Sequence, residues 1–483
     1  MTAAIVALLG AIAPQWASAA ELGLDFSRCS IGDGASLLPA QCAELIVPLD
    51  PTAPSGETLT LTIAKVPART NKPKSDPFTL IAGGPGQSAT ESFPPVAQAF
   101  RHILLERDIY LIDQRGTGQS HKLVCKSDDA SSLFEFDEAL IAEQAKTCRE
   151  SLPHDPHFFT TSVAVQDIEL VRRALGIEQW NIYGVSYGTR VALHYLRRFP
   201  DQVRTLILDA VVAPEVALGP EIAVMAERAL DAMFTRCEND SSCSSAFPEL
   251  ATKTNKLISS LKNEARPVQY EDLSSGQLRM LDFDHQHLAV TLRLMSYSAY
   301  GNAILPSMLF DASENNNLAP FARQAELQVR SLGDSIANGM HHAVVCTEDE
   351  PFTDIDEGRA QSADTYLGTD LIDALKISCE QWDSGVIDDD FKQPVESTVP
   401  TLLLSGSADP ITPPEYAERA KAKLKNSKHI VIEHQGHMQS TSGCMPSIMA
   451  EFIKLGEVEQ LDTNCLERLT APPFFIDANG PKP

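Results

Sequence analysis

A serine between two glycines is the first residue whose type and setting could do chemistry. Ser186 lies in Gly184-Val185-Ser186-Tyr187-Gly188, after an apolar run and before a stretch with helical spacing. A nucleophile on a tight strand-to-helix turn needs small flanking residues, because its backbone is strained and neighbouring segments approach closely. The pattern predicts that Ser186 is a nucleophile at a helix N-terminus, where free amides favour developing negative charge.

A serine hydroxyl needs a histidine to take its proton and a carboxylate to hold that histidine in the correct tautomer. Asp409 follows the apolar run 401–404, and His437 follows the run 429–433. Loops after parallel strands are the usual place for ligands in such sheets. The order serine, acid, histidine therefore predicts His437 as the base and Asp409 as the acid that orients it.

Each of these two assignments has a rival. His434 lies three residues before His437, at the end of the apolar run, where a packed or exposed histidine is the ordinary outcome. Asp209 ends another apolar run, from which an acid could also reach the histidine. His437 and Asp409 are preferred, and both rivals stay open from the sequence.

An alkoxide formed by attack on a carbonyl needs two amide donors. Tyr187 offers the amide that follows the nucleophile, and the glycine-rich loop 82–86, with Gly84 as the candidate, offers the second. This loop lacks the Lys-Ser/Thr ending of a phosphate-binding loop. A third cluster, 113–120, follows another apolar run, and within it Asp113 and Arg115 are expected to pair and fasten loops beside the site.

Short apolar runs alternate with turns and amphipathic stretches between residues 78 and 213. Strands are predicted at 78–82, 108–112, 180–183, 205–208, 401–404 and 429–433, and helices at 163–175 and 189–199. This alternation is typical of a mostly parallel sheet covered by helices, which is an α/β fold.

The alternation stops after residue 213, where a helix-dominated stretch begins. Helices are predicted there at 222–234 and 320–340. The predicted organisation is a signal peptide at 1–20, a first core part at 21–213, a helical cap at 214–396 and a second core part at 397–483. The signal peptide rests on an apolar stretch that ends in the small-x-small pattern Ala17-Ser18-Ala19.

Cysteine usage agrees with export to an oxidising compartment, secreted or periplasmic. The ten cysteines fall into local couples, and sequential pairing is the preferred interpretation, although spacing does not prove connectivity. The couples are Cys29 with Cys42, Cys125 with Cys148, Cys237 with Cys243, Cys346 with Cys379 and Cys444 with Cys465. No metal site and no cofactor are predicted, because no compact Cys/His cluster occurs.

The charge balance limits the partners. Lys and Arg number 39 against 65 Asp and Glu, a formal charge of −26, which repels phosphate backbones and anionic membrane surfaces. Nucleic acid is therefore not expected to be a partner. The chain has no later run of about 20 apolar residues, so no membrane span is predicted. The oligomeric state stays open.

Together, the loop 83–86, the segment 113–120, the Ser186 pentapeptide, Asp409 and His437 resemble the prolyl and tripeptidyl aminopeptidase family of serine peptidases. The resemblance runs from about Cys29 to Cys465, and the part from about Cys379 looks like the C-terminal domain of tripeptidyl-aminopeptidase-like proteins. It implies an α/β-hydrolase fold with an inserted cap. Ala82 stands where prolyl aminopeptidases usually carry histidine, which favours the exported tripeptidyl-like branch.

The resemblance also implies the reaction, hydrolysis at the N-terminus of short peptides through an acyl-enzyme. The alternative is a carboxylesterase acting on small acyl esters, because the same serine, histidine and amide donors serve both reactions. In the family, cap carboxylates hold the free amine of the substrate. Glu348, Asp349 and Glu350 are candidates for that contact, and a solvated acidic turn is an equally open interpretation.

Overall fold

The structure is a computed structural model, and it describes residues 23–32, 36–125, 136–273, 275–477 and 479–481. The predicted signal peptide, 1–20, lies outside these residues. In chain order the strands are β1 (Ser27–Ile31), β2 (Leu38–Pro48), β3 (Thr58–Val66), β4 (Phe78–Ile81), β5 (Ile109–Ile112), β6 (Trp180–Val185), β7 (Val203–Asp209), β8 (Arg266–Glu271), β9 (Leu278–Phe283), β10 (Thr401–Gly406) and β11 (Ser427–Ile432).

Strands with no exposed residue form the centre of the main sheet. Every residue of β4, β5, β6 and β10 is buried, as expected for parallel strands covered on both faces. The strand order is β1-β2-β3-β5-β4-β6-β7-β10-β11. The pairs from β5 to β11 are parallel, and β1, β2 and β3 add an antiparallel edge. The predicted mostly parallel sheet is confirmed, whereas the antiparallel edge was not predicted.

The order of the strands creates a crevice at the centre of the sheet. From β4 the chain goes to β5 on one side, and it then returns to β6 on the other side of β4. Loops that leave such a switch point diverge and leave room for a ligand. The glycine-rich loop after β4 and the Ser186 turn after β6 therefore flank the same crevice.

Helices cover the sheet and fill the segment between β7 and β10. They are α1 (Ala89–Val96), α2 (Glu138–Ser151), α3 (Thr161–Ala174), α4 (Tyr187–Arg198), α5 (Ile222–Asn239), α6 (Ser241–Ala246), α7 (Leu250–Asn263), α8 (His285–Ser296), α9 (Ala299–Asn315), α10 (Ala319–Ser335), α11 (Asn338–Glu348), α12 (Ile355–Ser362), α13 (Asp370–Cys379), α14 (Pro414–Lys421) and α15 (Met445–Leu455).

The inserted segment has an apolar cluster of its own, built mainly from α5 to α9 and the antiparallel hairpin β8-β9. The hairpin was not predicted. The single helix predicted at 320–340 is wrong, because the chain leaves the helix between α10 and α11. There Ile336 forms an isolated antiparallel bridge with Gln87, and the Ala337 amide donates to the Gly86 carbonyl at 2.9 Å.

The C-terminal tail packs on the inserted segment rather than on the sheet. Phe474 belongs to the apolar cluster of that segment, with the Arg236 guanidinium 3.9 Å from its ring centroid. The Phe475 amide donates to the Ala303 carbonyl at 3.0 Å. The tail therefore ties α5 and α9 to the end of the chain.

Five disulfides join the ten cysteines. They are Cys29–Cys42, Cys125–Cys148, Cys237–Cys243, Cys346–Cys379 and Cys444–Cys465. Disulfides persist in oxidising compartments, so this set fits an exported protein. Within the described residues, no helix combines the length and the apolar character that a membrane crossing requires.

Candidate active site

Ser186 sits on a strained turn that only its glycine neighbours permit. It links β6 to α4 with φ 54° and ψ −127°, a conformation that costs a non-glycine residue about 1–3 kcal/mol. A Cβ on Gly188 would lie 2.2 Å from the Ile81 carbonyl oxygen, and one on Gly184 would lie 2.5 Å from the Gly188 oxygen. The close approach of α4 to the end of β4 and to β6 therefore requires both glycines. Ser186 itself is half-buried.

Hydrogen bonds hold the turn from both sides. The Ser186 amide donates to the Asp209 carbonyl at 2.9 Å, and the Thr189 hydroxyl donates to the Ser186 carbonyl at 2.6 Å. Tyr187 occupies the first position of α4, where a backbone amide has no acceptor within the helix. Its amide is thus available to a ligand oxygen, as the sequence predicts for an alkoxide donor.

The loop after β4 lies directly over the serine. A Cβ on Gly83 would lie 3.0 Å from the Ser186 Cβ. The Gly83 carbonyl accepts from the Gln87 amide at 3.2 Å. In a trans peptide the N–H points opposite to the C=O, so the Gly84 amide points away from Gln87 and is not consumed by this turn. The loop adopts this shape with φ 108° at Gly84, which favours glycine.

His437 and Asp409 form a direct pair. The His437 Nδ1 lies 2.8 Å from Asp409 Oδ2, and the Thr412 hydroxyl donates to the same oxygen at 2.7 Å. The other oxygen, Oδ1, accepts from the Ile411 and Thr412 amides at 3.0 and 2.9 Å. An ionised carboxylate can only accept, so the His437 Nδ1 carries the proton and Nε2 presents its lone pair.

Electrostatics favour the charged carboxylate and the charged imidazole. Burial raises the pKa of Asp409, but the bonds from His437 and Thr412 outweigh it and hold that pKa below its ordinary 3.8. Burial lowers the pKa of His437, but the Asp409 carboxylate outweighs it and raises that pKa above 6.5. An imidazolium at His437 would thereby be stabilised.

The raised pKa of His437 predicts an acidic limb in the rate profile. Because the base must be neutral, kcat/KM for an uncharged ester should fall as pH falls through a midpoint above 6.5. The measurement is kcat/KM against pH, with circular dichroism at each pH to separate titration from unfolding. A midpoint below 6.5 in the folded protein would contradict this assignment.

Asp209 occupies a different position from the one an orienting acid needs. Its carboxylate accepts from the Gln439 and Ser440 amides at 2.8 to 2.9 Å and from the Tyr183 hydroxyl at 2.8 Å. Burial raises its pKa to about 6, although these hydrogen bonds lower it. Since its carbonyl also binds the Ser186 amide, Asp209 anchors the turn and the loop after His437 at one point.

His434 stands apart from this pair. It is exposed, and its amide donates to the Ser407 hydroxyl at 2.8 Å. Among the two histidines of the loop, His437 is the one in contact with a buried carboxylate. The geometry therefore supports His437 over His434.

The inserted segment closes on His437 through a residue that the sequence analysis missed. Tyr297, at the end of α8, accepts the His437 amide on its carbonyl at 2.8 Å. Its ring packs edge-on against the imidazole, with centroids 5.1 Å apart. A tyrosine ending a helix 140 positions earlier carries no local sequence signal for this contact.

The expected pairing of Asp113 with Arg115 is wrong. Asp113 accepts from the Ser88 hydroxyl at 2.8 Å and from the Thr90 amide at 2.9 Å, so it fastens the start of α1 below the glycine-rich loop. Arg115 is fully buried and pairs with Asp167 of α3 at 2.6 and 2.7 Å. Both side chains stabilise loops, but each bonds a segment that is distant in sequence.

Glu348 and Asp349 are neither solvated nor free. Both are fully buried and pair with the Arg190 guanidinium of α4, at 3.4 Å for Glu348 and 2.7 Å for Asp349. The interpretation as a solvated acidic turn is therefore wrong for these two residues. The carboxylates of Glu348 and Asp349 bind Arg190 of α4, the helix that follows the Ser186 turn, and are therefore not free to bind a substrate amine. Glu350 begins a short 3₁₀ turn.

A mostly parallel sheet with a strained serine turn at its switch point is the architecture of the α/β-hydrolases. Residues 76–237 match the family model described as alpha/beta hydrolase fold. The chain therefore has the α/β-hydrolase fold, and it is an enzyme. Its later part, residues 364–465, matches the model described as TAP-like protein, a range that contains Asp409 and His437. The resemblance predicted from the motifs is confirmed.

Relatives carry peptidase names. The chain is 26% identical to serine protease Hip1 of Mycobacterium tuberculosis over 410 residues, 77% of each chain. It is 30% identical to tripeptidyl aminopeptidase of Streptomyces lividans over 220 residues, 41% of this chain and 40% of that one. A solved structure of proline iminopeptidase from Mycobacterium smegmatis is 14% identical, with TM-score 0.42, covering 89% of this chain and 98% of that chain.

Proposed function

We propose that this protein is a serine exopeptidase that releases N-terminal residues or short peptides through an acyl-enzyme on Ser186. The observation that carries the proposal is the way the inserted segment closes over the crevice. Tyr297 contacts the loop of His437 on one side, and Ile336 and Ala337 contact the glycine-rich loop on the other. A site roofed at both edges favours the end of a peptide over the middle of a folded chain.

The proposed chemistry follows from the geometry. The Ser186 hydroxyl attacks the scissile carbonyl carbon while the His437 Nε2 takes its proton, and the ionised Asp409 stabilises the imidazolium. The Tyr187 and Gly84 amides donate to the oxyanion. When the carbon–nitrogen bond breaks, His437 gives the proton to the leaving amine. Water then repeats the attack with the same base and releases the acyl group.

Two further observations support exopeptidase action outside the cytoplasm. The relatives named above include a tripeptidyl aminopeptidase and a serine protease, and the TAP-like match contains two of the proposed triad residues. The five disulfides and the small-x-small pattern favour a secreted or periplasmic protein. Two of the disulfides, Cys237–Cys243 and Cys346–Cys379, lie between β7 and β10 in sequence, the first in the apolar cluster of the inserted segment and the second in that of the main sheet.

The test is mass spectrometry of the products from a mixed peptide library. Each peptide is supplied with a free and with an acetylated N-terminus, beside simple acyl esters. We expect new N-termini a fixed small number of residues from the free end, and no products from acetylated peptides. Ester hydrolysis without cleavage of any free-amine peptide would identify a carboxylesterase instead, and cleavage at internal sites regardless of the N-terminus would contradict exopeptidase action.

A further inference from the structure

One arginine of the inserted segment lies beside the catalytic histidine without a carboxylate partner. Arg293 is on α8, one turn before Tyr297, whose ring packs against His437. Its Nη2 donates to the Tyr297 hydroxyl at 3.3 Å, and its guanidinium carbon lies 5.9 Å from the Tyr297 ring centroid. Within the described residues this is the one hydrogen bond of the Arg293 side chain, and its Nε is buried and unpartnered.

Among the described residues, the fully buried arginines are satisfied by carboxylates. Arg115 is paired with Asp167 at 2.6 Å, and Arg190 is paired with Asp349 at 2.7 Å. A buried cation is costly unless it is paired and fully hydrogen-bonded. In a chain of net charge −26, Arg293 therefore has guanidinium donors that no described residue accepts. Arg236 and Arg323 are also half-buried with an unpartnered nitrogen, so the place of Arg293 beside Tyr297 and His437 is what selects it.

The position of Arg293 defines which part of a substrate it would meet. In acyl transfer the catalytic histidine delivers its proton to the leaving group, so that portion of the substrate lies beside His437. The charge of Arg293 is near enough to lower the pKa of His437, although burial and Asp409 have larger effects. The flanking groups Tyr297 and Arg293 therefore border the leaving-group side of the crevice.

We propose that Arg293 binds a carboxylate in the leaving-group portion of the substrate, just beyond the scissile bond. A guanidinium presents several donors in a planar fork that matches a carboxylate. This inference rests on the proposed exopeptidase function and specifies its substrate class. The carboxylate is the free C-terminus of a short peptide or the side chain of an acidic residue that follows the scissile bond.

Paired substrates distinguish these sources. The two peptides of one pair have the same sequence, which ends one residue after the scissile bond. They differ only in whether that C-terminus is a carboxylate or an amide. A second pair carries Glu or Gln at that residue, with the C-terminus amidated. We expect kcat/KM to be about 10- to 100-fold higher for the acid of at least one pair, mainly through KM, as for a charge-assisted hydrogen bond.

Variants assign the preference to the guanidinium. Arg293→Gln should abolish the acid preference, and Arg293→Lys should keep part of it because the charge remains. The matched control is Arg228→Gln, also on the inserted segment, whose guanidinium is half exposed and pairs with Glu415 on the surface. Arg228→Gln should keep both the acid preference and the wild-type rate on an uncharged nitrophenyl acyl ester. For the Arg293 variants the readout is the ratio of kcat/KM between acid and amide, in which an effect of the lost charge on His437 cancels.

A second measurement detects peptide binding at the site and does not require that the peptide is hydrolysed. The rate at which a fluorophosphonate reagent labels Ser186 is measured in the presence of each acid or amide peptide. We expect stronger protection by the acid in the wild type, and equal protection in Arg293→Gln. If no peptide is cleaved but this difference appears, exopeptidase action fails and the carboxylate site stands. Equal protection by acid and amide in the wild type, or an unchanged difference in Arg293→Gln, overturns the proposal.

Discussion

Replacing Ser186 by alanine should lower kcat for peptides and esters alike by about 10⁵- to 10⁶-fold, as for loss of the nucleophile in other serine hydrolases. In the proposed mechanism, no acyl-enzyme forms without the hydroxyl oxygen. The turn itself should survive, because alanine and serine both carry a Cβ and meet the same strain at φ 54°. Turnover is measured with an activated ester and a short free-amine peptide, and folding by thermal unfolding.

The matched control is Ser245→Ala, an exposed serine on α6 whose hydroxyl donates to the Ser241 carbonyl at 2.7 Å. It should retain full activity. A Ser186→Ala protein that keeps its melting temperature and more than about a tenth of the wild-type rate would show that another group is the nucleophile.

Asp409→Asn should lower kcat by about 10³- to 10⁴-fold while changing the shape of the site little. An asparagine amide in place of the Asp409 carboxylate would favour the tautomer in which His437 carries its proton on Nε2, where it cannot accept the serine proton. Loss of the negative charge also removes the main influence that raises the pKa of His437. The acidic limb of kcat/KM against pH should therefore move to lower pH.

Two variants complete this experiment. Asp389→Asn removes an exposed carboxylate and should behave as the wild type. Asp209→Asn tests the rival acid, and we expect it to lower stability more than it shifts the pH profile, because Asp209 binds backbone amides rather than His437. An Asp209→Asn profile shifted toward acid, with an unshifted Asp409→Asn profile, would reverse the assignment of the acid.

Local patterns were enough to predict the centre of the fold. The predicted strands that correspond to β4, β5, β6, β7 and β10 agree with the structure within about two residues, because strands buried on both faces are apolar throughout. The edge strand β11 also agrees within about two residues, although Val431 in it is exposed. The edge strands β1 to β3 were missed because a strand covered on one side mixes polar and apolar residues. The hairpin β8-β9 was missed for the same reason, with Leu278 and Met280 exposed.

Contacts between distant segments account for the errors. Asp113 and Arg115 are two positions apart, yet their partners come from residues 25 and 52 positions away. The predicted helix 320–340 has helical spacing throughout, but Ile336 pairs with Gln87 because the inserted segment folds onto the glycine-rich loop. The acidic run 348–350 looks like a surface turn, and only burial against Arg190 reveals otherwise.

By itself, the sequence determined the α/β fold class and the chain order of a serine, an acid and a histidine. This was possible because buried strands require apolar residues and tight turns require small ones, and both patterns can be recognised over a few neighbouring residues. The tertiary structure alone decided that Asp409 rather than Asp209 contacts His437, that Tyr297 closes on that histidine, and that Arg293 stands beside it unpaired. These relations depend on which loops meet at the switch point of the sheet and on how an inserted segment packs over it. No spacing along the chain encodes such distances.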